Sequence, residues 1–304
     1  MTAHDFLKGA WDLHVHTDPD VIHRKLTDLE MMRRLAACGM KGYAIKNHVS
    51  MTSGRARLMN ELSQENQWGV TAIGSVTLNN SVGGINPGTV ELACRDGAKI
   101  VWLPTIDSLS ESRHIENNIA HADDKTKMPF FARLRVDLGE KNMLSTPLCL
   151  LNENGELTQK ALQVIEIVKD HHVMLATGHI GREETVAIAK ECHKRGFKKL
   201  VITHPSFPTT SFTKEEQKEL ADLGGWIEHC FTTPYTGKIA WETVYEQIRY
   251  VGVDKCFVST DLGQPAYVYP DEGMLGFAQN LMDNGFTDAE IRHMYCEVPD
   301  MLMD

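Results

Sequence analysis

The sequence of 304 residues lacks the features of several protein classes. No apolar run approaches the roughly 20 residues that a membrane-spanning helix requires, and the first residues contain no apolar core of signal-peptide length. The formal net charge is −10 and the basic residues form no long run, so neither nucleic acid nor an anionic membrane is expected as a partner. The seven cysteines are dispersed without a Cys-x-x-Cys pair, as is typical of free thiols in a reducing compartment. We therefore expect a cytoplasmic protein.

Short apolar β-type segments alternate with helical patterns, and this alternation predicts a parallel sheet with crossover helices. Thr27 and Glu30 form a capping box at the start of one helix, and Thr213 and Glu216 form another. A strand followed by a helix, repeated around a ring, is the (β/α)8 or TIM barrel, and we predict this α/β fold. The predicted strands are residues 11–16, 42–45, 70–76, 99–103, 173–177, 199–203, 226–230 and 256–260.

One connection, after the fourth predicted strand, is too long for an ordinary barrel. It covers about residues 105–158 and includes Leu148–Leu157, with Asn154-Gly155 at its centre as a two-residue hairpin signal. We interpret this segment as a lid or side insertion, so that residues 1–304 form a single domain.

The clearest chemical signal is the motif Asp12-Leu13-His14-Val15-His16 at the end of the first predicted strand. Side chains alternate between the two faces of a strand, so His14 and His16 are expected to face the same way, into the barrel mouth. Two imidazoles at that spacing can chelate one metal ion. The alternative is that they are two incidental histidines, one buried and one exposed.

Further candidate ligands follow other predicted strands. His179 follows the fifth strand, His204 the sixth and Asp261 the eighth. Barrels of this kind place their active sites at the carboxyl ends of the strands. Four histidines and an aspartate would rarely meet there by chance, and they predict a metal site.

This arrangement, with His-x-His on strand one, single histidines on strands five and six and aspartate on strand eight, resembles the amidohydrolase superfamily. The resemblance extends from the first strand to the eighth. It implies that Asp261 is both a ligand and the acceptor of a proton from metal-bound water, as that water attacks carbon or phosphorus. The implied metal ligands are His14, His16, His179, His204 and Asp261.

The chain departs from the superfamily pattern at strand four. Many members with two ions carry a carbamylated lysine or a glutamate there, as a bridging ligand, whereas this strand ends in Val101-Trp102-Leu103-Pro104-Thr105. Either one ion is bound, or a second ion is held by other residues. The predicted cofactor is therefore one or two divalent transition-metal ions, with zinc, manganese and iron as candidates.

Two other strand ends could supply the missing ligand. After strand two, Lys46 could be a substrate-binding cation or a carbamylated ligand and His48 could be a ligand, unless they are a loop lysine and a helix-capping histidine. On strand seven, Glu228 and His229 face opposite ways, so at most one of them looks into the barrel. We favour Glu228, as a ligand or as the partner of a ligand.

The predicted activity is hydrolysis of a small molecule by metal-activated water. A cyclic amide, a lactone or a related ester or amide is the preferred substrate. Phosphoester hydrolysis and metal-dependent decarboxylation are alternatives on the same barrel, and a non-catalytic metal-binding protein is a rival from another class. Arg182 could hold a substrate carboxylate or phosphate, and Tyr235 and Tyr267 could line the pocket. A homo-oligomer is compatible with the sequence.

Overall fold

A computed structural model describes residues 1–121, 124 and 128–304, and within these residues nine short strands pair in parallel. They form a three-stranded sheet, β1-β2-β3, and a six-stranded sheet, β4 through β9, each with its strands in sequence order. The predicted α/β architecture with a parallel sheet is confirmed. The strands are β1 (Trp11–Val15), β2 (Gly42–Ile45), β3 (Thr71–Ile73), β4 (Ser75–Thr77), β5 (Ile100–Trp102), β6 (Met174–Ala176), β7 (Leu200–Ile202), β8 (Trp226–Cys230) and β9 (Cys256–Ser259).

The helices begin largely at the predicted caps. Thr27 and Thr213 each accept a hydrogen bond from the backbone three residues on, which completes the two capping boxes. Among the described residues, no helix combines the length and the apolar character needed to cross a membrane. The helices are α1 (Asp28–Cys38), α2 (Ser53–Glu65), α3 (Pro87–Arg95), α4 (Leu109–Ala120), α5 (Phe130–Glu140), α6 (Gln159–Asp170), α7 (Arg182–Lys194), α8 (Lys214–Asp222), α9 (Thr232–Tyr235), α10 (Trp241–Val251), α11 (Pro270–Asp283), α12 (Asp288–Arg292) and α13 (Val298–Met303).

The two sheets meet at both ends, where β3 continues into β4 and where the chain after β9 bonds to β1. The third predicted strand, residues 70–76, is divided into β3 and β4 at Gly74, where a Cβ atom would overlap the backbone of Ser53. The fourth predicted strand is therefore β5. At the other end, the backbone N–H of Asp261 donates to the carbonyl of His14 at 2.8 Å, and that of His16 donates to Leu262 at 2.8 Å. These bonds connect the chain after β9 to β1, as the closure of a barrel requires.

Apolar side chains fill the inside of the ring. Trp11 and Leu13 of β1, Trp102 of β5 and Phe257 of β9 belong to one buried cluster, to which α13 contributes side chains. The indole N–H of Trp11 donates to Asp300 of α13 at 2.7 Å. The last helix therefore covers the amino-terminal end of the barrel and leaves the opposite end for the polar residues.

The predicted insertion at 105–158 contains the helices α4 and α5, which the sequence pattern did not indicate. Residues 122–123 and 125–127 of this segment lie outside the described residues. Ser108 caps helix α4, and its hydroxyl accepts a hydrogen bond from the backbone N–H of Glu111 at 3.0 Å. In the predicted hairpin, Leu151 and Leu157 form an isolated antiparallel bridge, and Gly155 has a φ of 76°.

Candidate metal centre

Three predicted ligands meet at the carboxyl end of the barrel. The Nε2 atoms of His14 and His16 each lie 3.1 Å from Oδ1 of Asp261. Both imidazoles are almost fully buried, and the Asp261 side chain is 16% exposed. One ligand atom from each residue lies within 4.8 Å of the other two. The three side chains can therefore bind one ion together.

The local backbone explains how these residues meet. The register of β1 against β2 shifts between Asp12 and Val15, which is the kind of irregularity that re-aims side chains near active sites. Asp261 has a φ of 55°, in the left-handed region that non-glycine residues rarely occupy. Two residues on, Gly263 passes so close to the carbonyl of His16 that a side chain would collide with it. Close strand contacts and an unusual backbone conformation therefore orient the aspartate.

Asp12 connects the two strands that carry this site, although the sequence pattern assigned it no separate role. Its carboxyl group accepts hydrogen bonds from the backbone N–H and the hydroxyl of Thr260, at 2.9 and 2.5 Å. It also accepts a longer bond of 3.3 Å from the backbone of His14. Burial raises the pKa of Asp12 to about 7, against these hydrogen bonds, which lower it. The residue thus links β1 to the position immediately before Asp261.

The other predicted histidines surround a cavity of about 350 Å³ next to this site. The ring centres of His179 and His204 are 5.0 Å apart, and those of His16 and His48 are 4.9 Å apart. His48 is anchored by Thr105, whose hydroxyl lies 2.8 Å from its Nδ1 atom. Within the described part of the chain, these additional histidines are not in any close group of three ligands.

A carboxylate from the insertion also reaches the histidine cluster. Oε2 of Glu111, on α4, lies 3.3 Å from Nδ1 of His179, and the two side chains are 13% and 12% exposed. Burial would raise the pKa of Glu111, but His179 and His114 lower it below its ordinary value. The sequence pattern did not indicate Glu111, because it lies in a helix of the long insertion rather than at a strand end.

Lys46 extends directly to the metal-site histidine. Its Nζ atom lies 2.8 Å from Nε2 of His14, the nitrogen that also faces Asp261. It lies 4.2 Å from the ring centre of Trp102, which stands on the fourth barrel strand. Burial lowers the pKa of Lys46, although Asp261 and Glu228 act in the opposite direction. Lys46, which follows β2, therefore lies over the indole ring of Trp102 on β5, beside the candidate ligands.

Glu228 and His229 have different surroundings, as the alternation of β8 predicts. Both carboxylate oxygens of Glu228 lie 3.3 Å from Nδ1 of His14, on the other side of the ring from Asp261. Cys230 lies 3.6 Å from the same nitrogen, and burial raises the pKa of its thiol well above the ordinary value. His229 has no hydrogen-bond partner for Nε2 among the described residues, and burial lowers its pKa to about 3.

The structure does not bring Arg182 or Tyr235 to the cavity wall. The Arg182 guanidinium pairs with Glu216 and donates to the carbonyl of Ser211 at 2.7 Å. Tyr235 is 40% exposed, and its ring meets that of Tyr267 at 5.7 Å. The cationic side chains that do line the cavity are Arg24 and Lys238, and Tyr267 lines it as well.

The donor set fits a divalent transition metal. Burial and the charge of Arg24 lower the pKa of His16 well below its ordinary value, so its ring is neutral and can donate a lone pair. Burial would raise the pKa of Asp261, but His14 and His16 lower it well below its usual range, so the carboxylate is ionised. Nδ1 of His16 is buried without a hydrogen-bond partner among the described residues. Two imidazoles and one carboxylate leave coordination positions open for water or substrate.

The fold is that of solved metallohydrolases. The chain is similar to an amidohydrolase from Pseudomonas aeruginosa, with a TM-score of 0.62 and 12% identity over 100% of this chain and 98% of that one. It is also similar to a metallopeptidase described as dipeptidase AC, with a TM-score of 0.61 and 11% identity over 97% and 98% of the two chains. The predicted resemblance to the amidohydrolase superfamily is confirmed at the level of the fold.

A third solved structure is the organophosphorus hydrolase from Deinococcus radiodurans, with a TM-score of 0.57 and 13% identity over 100% of this chain and 94% of that one. The chain belongs to the family described as Family of unknown function (DUF6282), whose model matches residues 9–228. No curated protein matches the chain.

Proposed function

We propose that the chain is a metal-dependent hydrolase whose ion is held by His14, His16 and Asp261. The observation that carries this proposal is that two buried imidazoles and an ionised carboxylate bring their ligand atoms within 4.8 Å of one another beside a cavity. Burial and Lys46 lower the pKa of His14, but Asp261 and Glu228 raise it above its ordinary value, because these two carboxylates favour a positive charge at the ring. A divalent cation would satisfy that preference.

A divalent ion bound there would supply Lewis acidity toward a carbonyl group and would promote ionisation of a water molecule. Asp261 is the proposed proton acceptor, because it is ionised and lies at the edge of the cavity. The hydroxyl of Thr232 donates to its Oδ2 atom at 3.1 Å. That bond orients the carboxylate and leaves Oδ1 directed toward the two histidines.

Glu228 and Asp12 would hold the ligands in place. Glu228 contacts the nitrogen of His14 that faces away from Asp261, the arrangement in which a carboxylate orients a metal-bound imidazole. Asp12 ties the backbone of Thr260 to β1. Both are proposed positioning residues, which act through His14 and Asp261.

A lactone, a cyclic amide or a related ester or amide is the proposed substrate. The similar solved structures include a dipeptidase and a probable 2-pyrone-4,6-dicarboxylic acid hydrolase from Acinetobacter baumannii, and both names describe hydrolysis at a carbonyl carbon. Lys238, on the cavity wall, donates to the hydroxyl of Thr236 at 2.8 Å and lies 5.1 Å from the Phe207 ring centre. Arg24 lies in the same wall, but its guanidinium is buried and already paired with Asp20 at 2.7 Å. Lys238 would therefore be the cation that favours a substrate with a negative group.

Phosphoester hydrolysis is a second candidate, because Lys238 on the cavity wall suits a phosphate and one similar structure is an organophosphorus hydrolase. The two candidates are separated by offering zinc- or manganese-loaded enzyme a panel of lactones, cyclic amides and phosphoesters. Turnover of the carbonyl substrates supports the first proposal. Phosphate release without carbonyl hydrolysis would replace it with the second.

Metal content tests the proposed site directly, by elemental analysis after dialysis against zinc or manganese. The His14→Ala/His16→Ala variant is expected to lose the ion, whereas a His179→Ala/His204→Ala variant is expected to keep one ion per chain if the first site stands alone. Loss of a second ion from the latter variant would show a two-ion centre. Wild-type protein that takes up neither metal would overturn the proposal.

A further inference from the structure

An apolar pocket of about 280 Å³ adjoins the catalytic cavity. The insertion helices α4 and α5 and the chain after β5 form most of its wall, and Val49, Asn80 and Ser81 complete it. We call it the insertion pocket, and its main apolar lining residues are Ile106, Ile115, Phe131, Leu134, Leu138 and Leu144. All six side chains belong to the segment that was predicted only as a lid or side insertion.

The insertion pocket shares a wall with the cavity that contains the metal-site residues. Ile106 and Phe131 line both spaces. The Phe131 ring meets His48 edge-on with 5.1 Å between ring centres, and His48 stacks on His16 at 4.9 Å. Two ring contacts therefore lead from a proposed metal ligand to the pocket, so one substrate molecule could occupy both spaces.

The charged side chains that line the insertion pocket are already paired. Arg135 donates to Glu116 at 2.7 Å. The carboxylate of Asp107 accepts a hydrogen bond from the backbone of Asn80 at 2.8 Å. The surface left for an occupant is mainly apolar, so an uncharged hydrocarbon group fits this pocket better than a polar one does.

We propose that the insertion pocket binds a hydrocarbon chain of the substrate, while its carbonyl group lies beside Asp261. The substrate class would then be a lactone, ester or amide that carries an alkyl or acyl chain. This inference rests on the proposed hydrolase function. Each methylene group that enters an apolar pocket is expected to raise kcat/KM about fourfold, until the pocket is full.

A chain-length series tests the proposal. We expect kcat/KM of the metal-loaded enzyme to rise from the acetyl to the octanoyl member of a p-nitrophenyl ester series. Leu138→Trp, which fills the pocket with apolar volume, is expected to move the optimum to a shorter chain. Leu92→Gln on α3 is the matched control, because Leu92 is 65% exposed and lies outside the pocket, and it is expected to leave the profile unchanged. A profile that is flat in the wild type, or identical in Leu138→Trp, would overturn the proposal.

A binding experiment separates failure of the pocket from failure of the hydrolase proposal. Unreactive methyl ketones of increasing chain length are titrated by calorimetry into Asp261→Asn and Asp261→Asn/Leu138→Trp protein. Affinity that grows with chain length in the first protein and not in the second supports the pocket, even if the wild type hydrolyses no ester. Affinity independent of chain length overturns the pocket, even if ester hydrolysis is observed.

Discussion

At the amino-terminal end of the barrel, Val298 and Leu302 of α13 are buried among apolar strand residues, whereas at the carboxyl end His14, Lys46 and Glu228 are buried among one another. Apolar burial stabilises a fold without requiring specific partners. Buried polar groups destabilise it unless each finds a partner. The amino-terminal end of the barrel is therefore expected to stabilise the fold, and the carboxyl end is expected to carry out the chemistry.

The carboxyl end also contains buried nitrogens that are left without partners. Nδ1 of His16 and Nδ1 of His204 have no hydrogen-bond partner within the described part of the chain. Protein interiors rarely leave such groups unsatisfied without a functional reason. The comparison between the two ends leads to the following predictions.

Asp261→Asn is expected to have the largest effect on activity. The amide cannot accept a proton as a carboxylate does, so kcat should fall by about 10²–10⁴-fold, the usual contribution of a general base. Steady-state kinetics on the substrate found by screening would measure the loss, and circular dichroism would verify the fold. Activity within twofold of the wild type would show that Asp261 is not the base.

Leu302→Ala, at the other end of the barrel, is expected to reduce stability and to leave catalysis unchanged. Removal of this buried side chain should lower the free energy of unfolding by about 2–5 kcal/mol. Urea denaturation followed by tryptophan fluorescence measures the change. The kcat of the remaining folded protein should not change, because α13 lies away from the cavity. The matched control Met301→Ala, at an exposed position of the same helix, should change stability little.

Glu228→Gln is expected to weaken metal binding about 10- to 100-fold, because the neutral amide orients His14 less firmly. Competition with a chelating dye measures the dissociation constant. Glu242→Gln on the exposed face of α10 serves as the control. Equal metal affinity in the two variants would show that Glu228 does not support metal binding.

His229→Gln is expected to make the fold less sensitive to acid. Burial lowers the pKa of His229 from 6.5 to about 3. Between these two values the unfolded chain takes up a proton that the folded chain does not, so stability falls as pH falls, by about 1.4 kcal/mol per pH unit. Glutamine removes this contribution. Urea denaturation at several pH values measures the slope, and a slope unchanged by the substitution would contradict the prediction.

Arg182→Ala should have the smallest effect. Its ion pair with Glu216 is exposed to solvent and is worth at most about 1 kcal/mol. Because Arg182 lies outside the cavity wall, kcat/KM should change less than about twofold. Lys238→Ala is the informative partner variant, with a rise in KM expected for anionic substrates. If Arg182→Ala raised KM and Lys238→Ala did not, the assignment of the cations would be reversed.

Much of this site follows from local sequence patterns. The alternation of β1 places His14 and His16 on one face, and the capping boxes at Thr27 and Thr213 define helix starts, because both effects depend on residues close together along the chain. The expected roles of Arg182 and Tyr235 depended instead on where a side chain after a strand finally points. Neighbouring loops decide that direction, and the structure turns both residues away from the cavity.

The sequence by itself determined the strand–helix repeat and the set of histidines and aspartate at the strand ends. The tertiary structure alone decided that Glu111 faces His179, that Asp12 bonds Thr260, and that Lys46 lies between His14 and Trp102. These contacts join residues far apart in the chain, and they form only when the ring closes and the insertion packs over its rim. Periodicity and capping describe the order of neighbours along a chain, so they contain no information about such distant pairs.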